Sequence, residues 1–104
     1  MNGQNFSGFL NGTSGNDVLV GTSSNDTIFG QAGNDVICGG DGHDYINAGD
    51  GNDTVYGEAG HDTIDAGNGN NMVTTGDDKD QITTGAGTDT IIAGGGNNKI
   101  DGGN

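Results

Sequence analysis

Aliphatic side chains recur at every ninth position along most of this chain, with polar residues between them. We number each nine-residue unit from one to nine, starting at Thr13, so that the aliphatic residue falls at position seven and the tenth unit ends at Gly102. Position seven is aliphatic in every unit: Leu19, Ile28, Ile37, Ile46, Val55, Ile64, Val73, Ile82, Ile91 and Ile100. A helical period of 3.6 residues is absent, and glycine returns every few residues, which excludes helix. Each unit therefore predicts a three-residue strand at positions six to eight, followed by a turn.

One short strand per nine residues cannot enclose a core, so two units must form one coil. The position-seven side chains then meet between two facing sheets of short strands. We predict an all-β fold, a parallel β-roll (β-solenoid) with two nonapeptides per coil, over residues 13–104. Residues 1–12 keep the same phase and are predicted to be an N-terminal cap or a junction segment.

The amino-acid composition alone would indicate a disordered chain. Only 28% of the residues are hydrophobic, 24 of the 104 are glycine and the formal net charge is −13, a combination typical of disordered segments. A flexible linker has no reason to keep an aliphatic residue in phase over ten units, so the repeat favours a folded roll. Its core would be thin, and we expect calcium-free chain to be largely disordered.

The charge also restricts the partners. Lys79 and Lys99 are the only lysine or arginine residues, so we expect no nucleic-acid binding and no attraction to anionic membranes. No apolar run is long enough to insert into a membrane, and the N-terminus lacks the features of a signal peptide. Metal cations are the natural counter-charge for the acidic turns.

Acidic residues occupy position five in eight of the ten units. They are Asp17, Asp26, Asp35, Asp44, Asp53, Asp62, Asp80 and Asp89, with Asn71 and Asn98 in the remaining two units. The unit pattern G-G-x-G-x-D-x-U-x resembles the RTX (repeats-in-toxin) nonapeptide, also called the hemolysin-type calcium-binding repeat, and residues 31–39 and 49–57 are good copies.

This resemblance implies a right-handed roll in which turn carbonyls and the position-five side chains hold Ca²⁺ between successive coils. The eight aspartates are then metal ligands. Asn71 and Asn98 keep a neutral oxygen and are expected to be weaker ligands. Five turns on each edge leave four gaps, so up to about eight ions are expected within the chain, with more at subunit junctions.

Two functions remain open at this point. The first is a secreted, calcium-folded structural protein that stacks head to tail into an extracellular filament or surface layer, with lateral contacts through the outward face of the odd-numbered units. The second is the calcium-folding module of a larger secreted toxin, protease or adhesin. Both predict an extracellular or cell-surface location without an N-terminal signal peptide. Neither predicts an enzyme, because His43 and His61 have no nucleophilic partner in phase.

Overall fold

The computed structural model describes residues 3–4, 8–96 and 98–102, and every regular element among them is a short β-strand. The twelve strands are β1 (Gly3–Gln4), β2 (Phe9–Asn11), β3 (Val18–Val20), β4 (Thr27–Phe29), β5 (Val36–Cys38), β6 (Tyr45–Asn47), β7 (Thr54–Glu58), β8 (Thr63–Gly67), β9 (Met72–Thr75), β10 (Gln81–Thr84), β11 (Thr90–Ile92) and β12 (Lys99–Asp101). Over these residues no helix is present that could cross a membrane.

The strands alternate between two parallel sheets. Sheet A has the order β1-β3-β5-β7-β9-β11, and sheet B has the order β12-β10-β8-β6-β4-β2. From β2 onwards, paired residues on neighbouring strands are 18 apart in sequence over most of each strand, as in the pairing of Ile28 with Ile46. Two nine-residue units therefore make one coil, and the predicted β-solenoid with two facing sheets is confirmed.

The position-seven side chains form a single row of core residues between the sheets. Those from Leu19 to Ile82 are at most 1% exposed, and Leu10 in the N-terminal segment joins them. The row is not buried to its end, because Ile91 is only partly buried and Ile100 is 49% exposed. The expectation that all ten position-seven residues are buried is therefore wrong for the last coil, which has no following coil to cover it within the described residues.

Position nine also faces inward, although the repeat pattern predicts that it lies in the turn. Ala48, Ala66, Thr75 and Thr84 are all buried at this position. The hydroxyl of Thr84 donates to the carbonyl of Gly102 at 2.8 Å, and that of Thr75 donates to Ala93 at 3.2 Å. In this part of the roll the strands are longer than the predicted three residues, with four in β9 and β10 and five in β7 and β8.

Part of the predicted N-terminal segment continues the roll. Strand β2 pairs with β4 in the regular register, and Leu10 pairs with Ile28. Residues 1–2 and 5–7 of the predicted cap lie outside the described residues.

Candidate metal centre

The position-five side chains form a ladder along each edge of the roll. In each rung, the Oδ1 atom accepts the backbone N–H of the position-five residue one coil earlier. Asp35 accepts from Asp17, and Asp44 from Asp26, both at 2.8 Å. The rungs through Asp62 and Asp80 measure 3.1 and 3.0 Å. All of these side chains except Asp89 and Asn98, which are half-buried, are buried.

The second carboxylate oxygen has no protein partner in most of the turns. The Oδ2 atoms that are buried without a hydrogen bond belong to Asp35, Asp44, Asp53, Asp62, Asp80 and Asp89. A buried carboxylate oxygen without a donor is costly, because the charge has lost its water and gained nothing in exchange. In six turns of the roll, an ionised carboxylate therefore lacks a donor or a cation that would offset the cost of its burial.

Backbone oxygens lie close to these carboxylates. A Cβ atom added to Gly39 would come within 2.7 Å of Asp44 Oδ2 and 3.1 Å of the Gly57 carbonyl oxygen. The same holds at Gly30, where it would come within 2.8 Å of Asp35 Oδ2 and 2.5 Å of the Ala48 carbonyl oxygen. A carboxylate of one turn and a carbonyl of the next coil thus converge beside a glycine that leaves room for them.

Burial makes the central carboxylates difficult to ionise. Desolvation raises the pKa of Asp62 to about 8, that of Asp53 to about 7 and that of Asp44 to about 6. In each case the hydrogen bond from the backbone N–H of the aspartate one coil earlier lowers the pKa, and the negative charge of that aspartate raises it. A cation bound at these turns would favour the ionised form and offset the repulsion along each ladder.

The donor set favours calcium. Among the described residues, no group of three or more His, Cys, Asp or Glu side chains could hold a metal ion together. An ion at these turns would instead combine aspartate with backbone carbonyl oxygens. Ca²⁺ accepts six to eight oxygen ligands in flexible geometry, whereas Mg²⁺ requires a tight octahedron. The aspartates with an unpartnered oxygen, together with the carbonyls of the glycine-rich turns, would hold it.

The first two turns differ in a way that the sequence analysis missed. Asp17 Oδ2 accepts the backbone N–H of Thr13 at 2.6 Å and its hydroxyl at 3.1 Å. Asp26 Oδ2 accepts the same two groups from Thr22, at 2.6 and 3.2 Å. The signal for these hydrogen bonds is threonine at position one, where most other units have glycine.

The predicted weaker ligands lie in the same ladders. Asn71 is buried and Asn98 is half-buried. Their Oδ1 atoms accept the backbone N–H groups of Asp53 at 2.8 Å and Asp80 at 2.9 Å, as the aspartates do elsewhere. The structure thus places all ten predicted residues in two equivalent rows.

Position four carries a second, exposed ladder beside the first. Its members include His43 and His61, whose rings stack with centroids 4.9 Å apart and planes 6° apart. His43 Nδ1 accepts the backbone N–H of His61 at 3.0 Å, in the way that Asn34 accepts the N–H of Asn52 at 2.8 Å. The two histidines therefore occupy an ordinary turn position of this roll.

Comparison with known proteins gives the family. Segments 11–46, 39–73 and 74–104 match the model of the RTX calcium-binding nonapeptide repeat, which contains four copies of the repeat. No curated protein and no solved structure matches the chain. RTX repeats bind Ca²⁺ and are structural rather than catalytic units. Since the matched segments cover most of the sequence, the chain belongs to the RTX calcium-binding nonapeptide repeat family and is a calcium-binding β-roll.

Proposed function

We propose that this β-roll is a secreted structural protein that calcium folds and that then assembles end to end into an extracellular filament or surface layer. The extracellular location is supported by the family, because RTX repeats are typical of secreted proteins. Calcium is abundant outside cells, so the chain would fold when export brings it into contact with calcium.

The observation that carries the assembly is the open C-terminal end of the roll. Ile100 pairs in register with Ile82 and continues the core row, yet it is 49% exposed. The core residue of β11 in the other sheet, Ile91, is also only partly buried. At the other end Leu10 is fully buried. Within the described residues β11 and β12 are the edge strands of their sheets at this end, and proteins normally cover an exposed apolar end of this kind.

The ladders offer complementary groups at the two ends. Within the described residues, Asn98 ends the ladder on its edge, so its backbone N–H has no further rung to donate to. At the start, Asp17 Oδ1 accepts the hydroxyl of Thr13 at 3.0 Å and, among the described residues, no backbone N–H from an earlier coil. A second copy stacked on the C-terminal end would bring such a donor and acceptor together. A contact of this head-to-tail type propagates when it does not close into a ring.

Acidic turns on both copies would repel each other at such a junction, so we expect assembly to require calcium. Ions held between turns of different subunits would supply the missing positive charge. The filament axis would then coincide with the axis of the roll.

A lateral contact is a second part of the proposal. The outward face of sheet A exposes Val20, Val36, Tyr56, Met72 and Ile92 by 38–54% each. Among the outward residues of β3 to β11 in this sheet, Glu58 at the end of β7 is the one charged residue. Sheet B has an apolar area as well, since the rings of Phe9, Phe29 and Tyr45 contact one another at 5.6 and 6.2 Å near the N-terminal end. The remainder of sheet B includes charged residues, so sheet A is the better surface for side-by-side association.

The assembly can be tested by microscopy and sedimentation in millimolar calcium and in excess chelator. Ile100→Lys places a charge on the open end and should give folded monomers instead of filaments. Thr63→Lys adds the same charge to an exposed outward position of β8, in the middle of sheet B, and should leave the filaments intact. Monodisperse monomers of the unmodified protein in millimolar calcium would rule out assembly.

The same open end also supports the alternative that this roll is the calcium-folding module of a larger secreted toxin, protease or adhesin. In that case further chain, and not a second copy, would cover Ile100. Calcium-dependent folding without self-association is the result that this alternative predicts.

A further inference from the structure

Asn71 and Asn98 differ from the aspartates in what the second side-chain atom does. We propose that the amides of these two residues close their own turns by hydrogen bonding and take the place of a calcium ion there. The inference rests on calcium binding by the other turns of the roll, and it gives the two asparagines a role different from the weak ligands that the sequence predicts.

The Asn71 side chain is satisfied on both sides. Its Oδ1 atom accepts the backbone N–H of Asp53 at 2.8 Å, which is the rung that an aspartate would make. Its Nδ2 atom donates to the carbonyl oxygen of Gly67 at 3.1 Å and approaches that of Gly69 at 3.5 Å. Both carbonyls belong to the turn that Asn71 ends.

Asn98 repeats this arrangement on the other edge of the roll. Its Oδ1 atom accepts the backbone N–H of Asp80 at 2.9 Å. Its Nδ2 atom lies 2.9 Å from the carbonyl oxygen of Ala93, 3.0 Å from that of Gly95 and 3.4 Å from that of Gly94. The amide group therefore faces the carbonyl oxygens of its own turn.

In most of the equivalent turns that carry aspartate, the second side-chain atom has no hydrogen-bond partner. Their Oδ1 atoms make the same rung, while six of their Oδ2 atoms are buried without a partner. Asparagine and aspartate have nearly the same shape, so the exchange replaces an unpartnered anionic oxygen with a neutral NH₂ group that has two protons to donate. The orientation of the amide follows from the rung, because only the oxygen can accept the backbone N–H.

Two physical consequences separate these turns from the others. No charge is buried, so the turn has no need of a cation to offset desolvation or repulsion. The carbonyl oxygens are also already engaged by N–H donors, and a metal ion would have to displace the amide to reach them. Asn71 lies between Asp53 and Asp89 in its ladder. We expect the turns of Asp53 and Asp89 to bind ions and the turn of Asn71 to bind none.

The experiment counts ions. Asn71→Asp should restore an unpartnered oxygen and bind one more Ca²⁺ per chain than the unmodified protein, measured by native mass spectrometry or by equilibrium dialysis with elemental analysis. Asn70→Asp is the matched control, since it adds the same charge at the neighbouring, exposed position, where Asn70 Oδ1 accepts the N–H of Thr88 at 2.8 Å. Asn70→Asp should leave the number of ions unchanged.

Asn71→Ala separates hydrogen-bonded closure from metal ligation. If the amide closes the turn, this variant should keep the ion count and unfold at a lower urea concentration in saturating calcium. Loss of one ion in Asn71→Ala would show that Asn71 is a ligand and would overturn the proposal. An unchanged count in folded Asn71→Asp would overturn it as well. If the unmodified protein bound no calcium at all, calcium binding itself would be wrong, and this inference would fail with it.

Discussion

Acid should fold the calcium-free chain, because protons can neutralise the same carboxylates that calcium does. The pKa values of Asp44, Asp53 and Asp62 in the folded chain are raised to about 6, 7 and 8, from an ordinary value of 3.8. Desolvation by burial is the largest cause in each case. In the unfolded chain these groups return to the ordinary value.

The direction follows from comparing the two states. Below about pH 3 the three carboxyls are protonated in both states, and folding has no ionisation penalty. As the pH rises, the unfolded chain loses these protons first, so the folded chain is progressively disfavoured until the pH has passed about 8. The stability of the calcium-free roll should therefore fall as the pH rises through this range.

The size of the effect is comparable to the stability of a small domain. A tenfold change in a protonation equilibrium is worth about 1.4 kcal/mol. Ionising the three carboxylates in the folded, metal-free chain therefore costs several kcal/mol, even after a discount for solvent screening. Small domains are stable by only about 5–15 kcal/mol, so the cost of ionising these carboxylates can by itself decide whether the calcium-free roll is folded.

Circular dichroism in excess chelator tests the reasoning. At about pH 5, still above the isoelectric point of about 4.1, the β signal should be substantially larger than at pH 8. Asp53→Asn with Asp62→Asn should weaken this dependence and raise the β signal at pH 8. Asp77→Asn with Asp101→Asn removes the same charge from exposed positions that do not contribute to these raised pKa values, and it should leave the dependence in place. An equal effect of both pairs would show that bulk charge governs folding, and a pH-independent coil would refute the role of the buried carboxylates.

Two further predictions concern the backbone and the core, both measured by urea unfolding in saturating calcium. Glu58 has a φ of 71°, in the left-handed region, so Glu58→Gly should stabilise the roll by about 0.5–1 kcal/mol. Glu58→Ala keeps the strained backbone and should not stabilise the roll. Equal gains in stability in both variants would show that removal of the glutamate side chain, and not relief of backbone strain, is the cause. Ile46→Ala removes a fully buried side chain and should destabilise the roll by about 2–5 kcal/mol. Ile100→Ala, at a half-exposed position, should cost clearly less in the monomer, and equal losses would mean that the last coil is covered.

The sequence predicts the architecture well because each unit carries the same two signals in the same phase. The aliphatic residue at position seven fixes the inward face of the strand, and the 18-residue pairing follows once two units make a coil. Asp35 and Asp53 could be placed in one row of turns from their spacing alone. These predictions hold because they depend on the period and not on any individual neighbour.

The missed features depend on particular neighbours. Thr84 is buried because position nine has the same parity as position seven when the strand runs on, and the restriction of this position to glycine, alanine and threonine was the available signal. Ile100 is exposed because no further coil covers it within the described part of the chain. The hydroxyl of Thr22 engages Asp26 because of the local turn geometry, which a repeat pattern does not record.

One side-chain atom at position five therefore decides how each turn is held. The Oδ1 atom serves the backbone in the same way in aspartate and asparagine, as the rungs from Asp35 to Asp53 and from Asp53 to Asn71 show at 2.8 Å each. The other atom is an anionic oxygen without a protein partner in six turns, an anionic oxygen bonded to threonine in the turns of Asp17 and Asp26, or an NH₂ group that bonds to the turn itself. Under the proposed roles, every aspartate with an unpartnered oxygen would link the folding of its coil to calcium, and every asparagine would remove one such link. The proportion of the two residues at position five would then set how strongly the whole roll depends on calcium, while the shape of the backbone stays the same.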